Sequence, residues 1–310
     1  MSLTFAIIIM IFSLIILIVS SIFLVNASLK FSKAIGISAF VIGSVVLAMA
    51  TSLPEFFDVL VSNLMNLANM GIGVIIGSCI TNLCLILGLV SIIVTSEVKS
   101  KLEINSILLA LMSLFAFLVF GADGFISRLE GAAMFILFLG YIFYLLKKST
   151  ARSKSNLMFK NLVLYYFIIS VSIFALVIGA YLAVSSGEYI MLLAGIPIGV
   201  IGLTVLAIST SLPELSSSIV AAIKKGEELA LGNLIGSNIF NILFVIGLVA
   251  LIHPISFSFE MFEVSLFIAI GVTLFFFAYV TIRKKADKWL GVTLTSVYVV
   301  YLYYILLSIY

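Results

Sequence analysis

Charged residues are scarce in this chain. Of its 310 residues only 9% are charged, 16 lysines and arginines and 13 aspartates and glutamates, while 64% are hydrophobic. Mean hydropathy is +1.39. A soluble domain carries roughly 25% charged residues, and without them a water-facing surface of this size cannot be covered. The composition excludes a water-soluble enzyme and points to an integral membrane protein. A net charge of +3 is too small to suggest a nucleic-acid partner. Histidine occurs once, as His253 beside Pro254, where it reads as a turn residue. Cysteine occurs twice, as Cys79 and Cys84 in one apolar run, where both read as packing residues with no disulfide implied. No metalloprotease helix motif is present, so neither enzymatic activity nor a cofactor is expected.

What is abundant is long apolar sequence. A crossing helix needs about 20 mostly apolar residues, and ten runs qualify: 4–25, 36–66, 70–95, 104–121, 129–146, 160–184, 195–223, 229–251, 261–282 and 289–309. The runs are continuous and do not alternate, so helices are expected, not transmembrane strands. The first run has no basic segment before it and reads as a retained helix. With the N-terminus outside, the inside loops hold 15 of the 16 basic residues: Lys30, Lys33, Lys99, Lys101, Lys147, Lys148, Arg152, Lys154, Lys160, Lys224, Lys225, Arg283, Lys284, Lys285 and Lys288. Arg128 alone falls outside. Positive residues favour the cytoplasmic side. The count therefore predicts ten spans with both termini extracellular, in the cell membrane.

The chain also repeats itself. Residues 43–55, GSVVLAMATSLPE, match 202–214, GLTVLAISTSLPE, at nine of 13 positions. Residues 73–90 match 232–249 at nine of 18, and both matches share the offset 159 without a gap. Duplication explains this. The offset carries the second span onto the seventh, and five spans per copy is an odd number, so the second copy must be inverted. The expected fold is all-α: two inverted five-helix repeats, 1–146 and 160–310, joined by a short basic cytoplasmic linker, 147–159. Such repeats build transporters that bind substrate near the midplane. The linker is too short to fold as a regulatory domain.

The repeated segments carry the chemistry. As one straight helix, 36–66 would reach about 46 Å, against roughly 30 Å of hydrocarbon. Pro54 and Pro213 interrupt the second and seventh spans and free the carbonyls of Ala50 and Ser209. Those at Ala48, Thr51, Ala207 and Thr210 are expected to loosen with them. Glu55 and Glu214 follow directly, and an ionisable group at mid-span is a functional candidate by default. Thr51, Ser52, Thr210 and Ser211 flank them. In the third and eighth spans Ser78 and Asn82 share one helix face, as do Ser237 and Asn241. Gly73, Gly77, Gly232 and Gly236 form small-residue pairs suited to close helix packing. All these donors are oxygens, which suits sodium, calcium or magnesium and not zinc or copper. Two carboxylates balance one divalent ion or two monovalent ones. Competition for the same oxygens is a sufficient basis for exchange. An ion channel is the reading from another class, and interrupted helices in an inverted repeat argue against it.

TSLPE in both halves, each followed by a GS-x-x-x-N segment, resembles the alpha-repeats of the calcium/cation antiporter superfamily, and most closely its sodium/calcium exchanger family, in a form without a regulatory domain. The resemblance implies an electrogenic antiporter moving Na+ one way and Ca2+ the other by alternating access. It implies that Glu55 and Glu214 bind calcium with the carbonyls of Thr51 and Thr210. It implies sodium sites from the same glutamates, Ser52, Ser78, Ser211, Ser237 and the carbonyls of Ala48 and Ala207, with Asn82 as the first-repeat amide. Asn241 departs from the pattern, because the family usually carries aspartate there. That departure keeps proton/calcium exchange open as the alternative. Asp58, three residues after Glu55 with Ser217 as its repeat partner, is expected to be solvated in an outer vestibule. The remaining partner expected is the lipid bilayer, and no obligate protein partner is implied.

Overall fold

The computed structural model describes residues 3–98, 100–149, 159–193 and 210–307. Eleven helices account for most of these residues: α1 (Leu3–Ile35), α2 (Ala39–Thr51), α3 (Leu53–Leu64), α4 (Ala68–Ile93), α5 (Lys101–Gly121), α6 (Arg128–Lys148), α7 (Phe159–Leu193), α8 (Leu212–Ile223), α9 (Glu227–Ile252), α10 (Glu263–Arg283) and α11 (Lys288–Leu307). Among the described residues seven are long and apolar enough to cross a membrane, and eight if α2 and α3 count as one bent span. The first part of the run expected at 195–223 lies outside the described residues.

Local signals set the helix ends. Ser100 and Ser127 cap α5 and α6, and each is answered by the glutamate three residues on, Glu103 and Glu130. At the start of α11, Asp287 accepts the N–H of Leu290 at 3.3 Å. α1 runs to Ile35 and stops where Gly36 turns left-handed, φ 75°, with its N–H on the Ser32 carbonyl at 3.0 Å. This corrects the expected loop around Lys30 and Lys33, which is the last part of α1. Residues 26–35 contain Ala, Leu, Lys and Phe with no breaker before that glycine, so the helix continues past the hydrocarbon.

Burial separates a centre from a periphery. The most apolar windows of α4 and α9 are 78% buried, against 28% for α1. Phe5, Ile8, Ile11, Phe12, Ile15 and Ile18 of α1 are exposed, as residues facing lipid must be. α1 packs chiefly along α7, with Ile16 and Leu17 against Gly179. In the main core, Phe240 stacks on Phe244 with ring centres 4.5 Å apart, and Phe138 meets the same ring edge-on at 5.2 Å.

α2 and α9 cross with their backbones in contact. A Cβ on Gly232 would run into the Phe40 carbonyl, and one on Gly236 would stand 2.9 Å from the Cβ of Ala48. These glycines let the two chain halves meet without intervening side chains. Among the described residues nothing lies within 4 Å of a Cβ built on Gly77.

Four two-residue strands were not expected from the sequence. β1 (Ser96–Glu97) pairs antiparallel with β4 (Lys285–Ala286), and β2 (Phe125–Ile126) with β3 (Ile255–Ser256). β1 and β3 stand 159 residues apart, the offset of the sequence repeat. Each pair therefore ties one half of the chain to the other. The first is extended by the Val98 N–H on the Lys284 carbonyl at 2.9 Å, and the second by the Phe257 N–H on the Gly124 carbonyl at 2.8 Å. Cysteines replacing Ser96 and Ala286, or Phe125 and Ser256, are expected to form a disulfide on mild oxidation. After cleavage at a protease site inserted between residues 150 and 158, the halves should then run as one band on a non-reducing gel. Two bands from the oxidised protein would show that the strands do not pair.

Candidate functional site

The chain changes direction by 44° between α2 and α3. Ser52 leaves the helical region at φ −90°, ψ 12°, and Pro54, which has no N–H to lose, occupies the first turn of α3. Ser211, φ −89°, ψ 5°, and Pro213 stand in the same relation to α8. Glu55 and Glu214 thus sit in the first turns of two short helices, where unpaired N–H groups and the helix dipole favour a carboxylate. Both side chains are 0% exposed.

Hydrogen bonds knit the two halves around these acids. Ser52 Oγ donates to Glu214 Oε1 at 2.9 Å. Ser78 Oγ donates to Glu55 Oε1 at 3.3 Å and accepts from Asn241 Nδ2 at 3.2 Å and Ser211 Oγ at 3.4 Å. One hydroxyl hydrogen and two lone pairs are then all in use. Among the described residues the other oxygen of each acid has no donor: Glu55 Oε2 and Glu214 Oε2 are buried and unpartnered. So are Asn82 Oδ1, Asn241 Oδ1 and Ser237 Oγ. Buried polar atoms are nearly always satisfied, and a cation is one group that can satisfy oxygens of this kind. Among the described residues no three His, Cys, Asp or Glu side chains come together, so the cluster is a mixed oxygen set of carboxylates, amides and hydroxyls. It suits a hard ion.

The asparagines stand in widened π-helical turns, Thr81–Leu87 within α4 and Phe240–Ile246 within α9. Such insertions recur at functional sites because they re-aim a side chain. Of the residues singled out in the sequence, Glu55, Glu214, Ser52, Ser211, Thr51, Thr210, Ser78, Ser237, Asn82, Asn241 and Ala48 are all buried. The Ala48 carbonyl already accepts the Ser52 N–H at 3.1 Å, so one of its lone pairs is occupied. Thr51 Oγ1 donates to its own helix at Leu47 O, 3.0 Å. Ala207 lies outside the described residues. Asp58 is exposed, whereas its repeat partner Ser217 is buried and donates to the Pro213 carbonyl at 2.7 Å.

Two further buried amides are absent from the sequence reading. Asn233 Nδ2 donates to Ser218 Oγ at 3.0 Å and Ser217 Oγ at 3.2 Å, and its Oδ1 faces Thr51 Oγ1 at 3.3 Å. Asn238 links Asn82 to the Cys79 carbonyl. Both fall where the first copy has no polar side chain to match, at Val74 and Cys79. The available signal was the cost of an amide in an apolar span. Both cysteines are free and buried, in line with packing roles.

A family model described as sodium/calcium exchanger protein matches residues 5–147 and 164–307. The chain is 32% identical to an uncharacterised membrane protein, MJ0091, of Methanocaldococcus jannaschii, over 88% of this chain and 89% of that one. It is 28% identical to the sodium/calcium exchanger MaX1 of Methanosarcina acetivorans, over 87% and 90%. The solved structure of the sodium-calcium exchanger NCX_Mj soaked with 10 mM Na+ superposes with a TM-score of 0.87 at 29% identity, covering 96% of this chain and 98% of the other. This likeness makes the chain an all-α membrane protein.

Ion binding at these oxygens should stabilise the fold. At 100 times its Kd a ligand adds about 2.7 kcal/mol, so calcium should raise the melting temperature of the protein in detergent. Glu55→Gln together with Glu214→Gln is expected to abolish that rise while leaving an ion-free melt. A rise that survives both substitutions would place the ion elsewhere.

Proposed function

The chain belongs to the sodium/calcium exchanger protein family, and on that premise we propose that it is a secondary antiporter exchanging Na+ for Ca2+ by alternating access. The observation that carries this reading is a set of buried oxygens without a donor among the described residues, Glu55 Oε2, Glu214 Oε2, Asn82 Oδ1 and Asn241 Oδ1, the residues Glu55, Glu214 and Asn241 being linked across the two halves through Ser78 and Ser52. Both ions are substrates. Glu55 and Glu214 hold calcium, aided by the carbonyls of Thr51 and Thr210. Sodium takes the same glutamates with Ser52, Ser78, Ser211, Ser237 and the carbonyls of Ala48 and Ala207, so the two ions compete for one set of oxygens. Asn82 and Asn241 add amide oxygens to both.

The surrounding architecture in this proposal is ten spans in two inverted five-helix repeats, 1–146 and 160–310, in the cell membrane with both termini outside. The second and seventh spans are the interrupted ones, at Pro54 and Pro213. The shared offset of 159 in sequence, in the π turns Thr81–Leu87 and Phe240–Ile246, and in the short helices Leu53–Leu64 and Leu212–Ile223 supports it. Interrupted helices beside a midplane site fit the general pattern of such transporters. Asn241 leaves two carboxylates where three would stand with an aspartate, and this favours keeping a proton-driven exchange as the competing outcome.

Proteoliposomes loaded with sodium should take up radioactive calcium, and uptake should stop when internal sodium is replaced by choline. Glu55→Gln or Glu214→Gln should abolish it. Equal uptake without sodium under an imposed pH gradient would overturn the sodium assignment, and uptake indifferent to any counter-ion would indicate a channel. Asn241→Asp is expected to alter the sodium-to-calcium flux ratio or the ion preference. If neither moves, this position is not a selectivity determinant.

A further inference from the structure

Asn238 is 2% exposed and has no counterpart in the first copy, where position 79 is cysteine. Its carboxamide makes two hydrogen bonds that run in sequence. Nδ2 donates to the Cys79 carbonyl at 3.1 Å, and Oδ1 accepts from Asn82 Nδ2 at 3.0 Å. The direction of this relay follows from chemistry. A backbone carbonyl can only accept, so the nitrogen of Asn238 must face it and its oxygen must face away. That oxygen can also only accept, so Asn82 must turn its nitrogen toward Asn238. The Oδ1 of Asn82 is then left buried and, among the described residues, without a donor.

The second amide is held differently. Asn241 Nδ2 donates to Ser78 Oγ at 3.2 Å. The residue that the repeat places opposite it, Cys79, has no side-chain oxygen to offer, so the orientation of Asn241 is set within the proposed ligand set itself. The orientation of Asn82 is set from outside that set.

We propose that Asn238 is a positioning residue for ion binding: it fixes the polarity of the Asn82 amide so that a cation held by Glu55 and Glu214 meets the Asn82 oxygen and not its NH2 group. The proposal rests on the antiporter reading above. Without Asn238, either face of the Asn82 amide can turn to the ion, and the wrong one presents two hydrogens to a positive charge. Outer partners that orient a metal ligand typically matter about 10–100-fold in affinity.

The test is Asn238→Cys, which places the first copy's own residue at this position, with Asn238→Ala as a second variant should the first fail to fold. Sodium-driven calcium uptake should show an apparent KM about 10-fold higher with the maximal rate within about twofold, and the melting temperature without ions should be little changed. The same substitution in an Asn82→Asp background should add less than about twofold to the calcium Kd measured by thermal shift, because a carboxylate presents oxygen whichever way it turns. An unchanged KM in Asn238→Cys, or an equal increment in both backgrounds, overturns the positioning role and leaves the antiporter reading standing. A wild-type chain that does not exchange sodium for calcium overturns that reading first.

Discussion

A carboxylate withdrawn from water must be compensated where it stands, and this protein withdraws two of them completely. Most of the central architecture answers to Glu55 and Glu214. Breaking the helical path at Ser52 and Ser211 starts a fresh helix beside each acid, and the free N–H groups of a first turn are the cheapest positive field a backbone can supply. Hydroxyls complete one oxygen of each acid. Among the described residues the other oxygen has no donor, and the buried amide oxygens of Asn82 and Asn241 and the Ser237 hydroxyl have no partner. Such a deficit is one that a mobile cation can cancel and release, whereas a fixed side chain would not let go.

Holding the two acids in one cluster requires the halves of the chain to come unusually close. Gly232 and Gly236 permit it by removing side chains where α9 meets α2. The price of close packing would be two rigid rods with every side chain dictated by helical spacing. The π turns that contain Asn82 and Asn241 relax that dictation locally, because their spacing departs from that of the regular helix on either side. Close approach and local widening are therefore complementary.

Much of this was legible in the amino acids. A charge in a span is so costly that Glu55 and Glu214 stood out at once, and the repeat pointed to Ser52, Ser78 and Asn241, which hydrogen bonds link to them, and to Asn82, which is buried on Asn238. The same reliance on repetition concealed Asn233 and Asn238, because duplication draws attention to what both copies share. Charge counting fixed on Lys30 and Lys33 as loop residues, yet helical propensity carries α1 past the apolar run to Gly36. The two-residue strands left no trace, since neither half of either pair carries a pattern of its own and both exist through a partner far along the chain.

Those strand pairs have a consequence for motion. Ile126 lies against Ile255, and Ser96 against Ala286, so the halves are fastened to each other at two separate points. Two fastenings remove the freedom that a single hinge would leave: the halves cannot swing apart like a book without tearing backbone hydrogen bonds at one of them. Any rearrangement that exposes the buried oxygens at low cost has to come from elements outside the fastened frame, and the peripheral α1, held mainly along α7, is one of these.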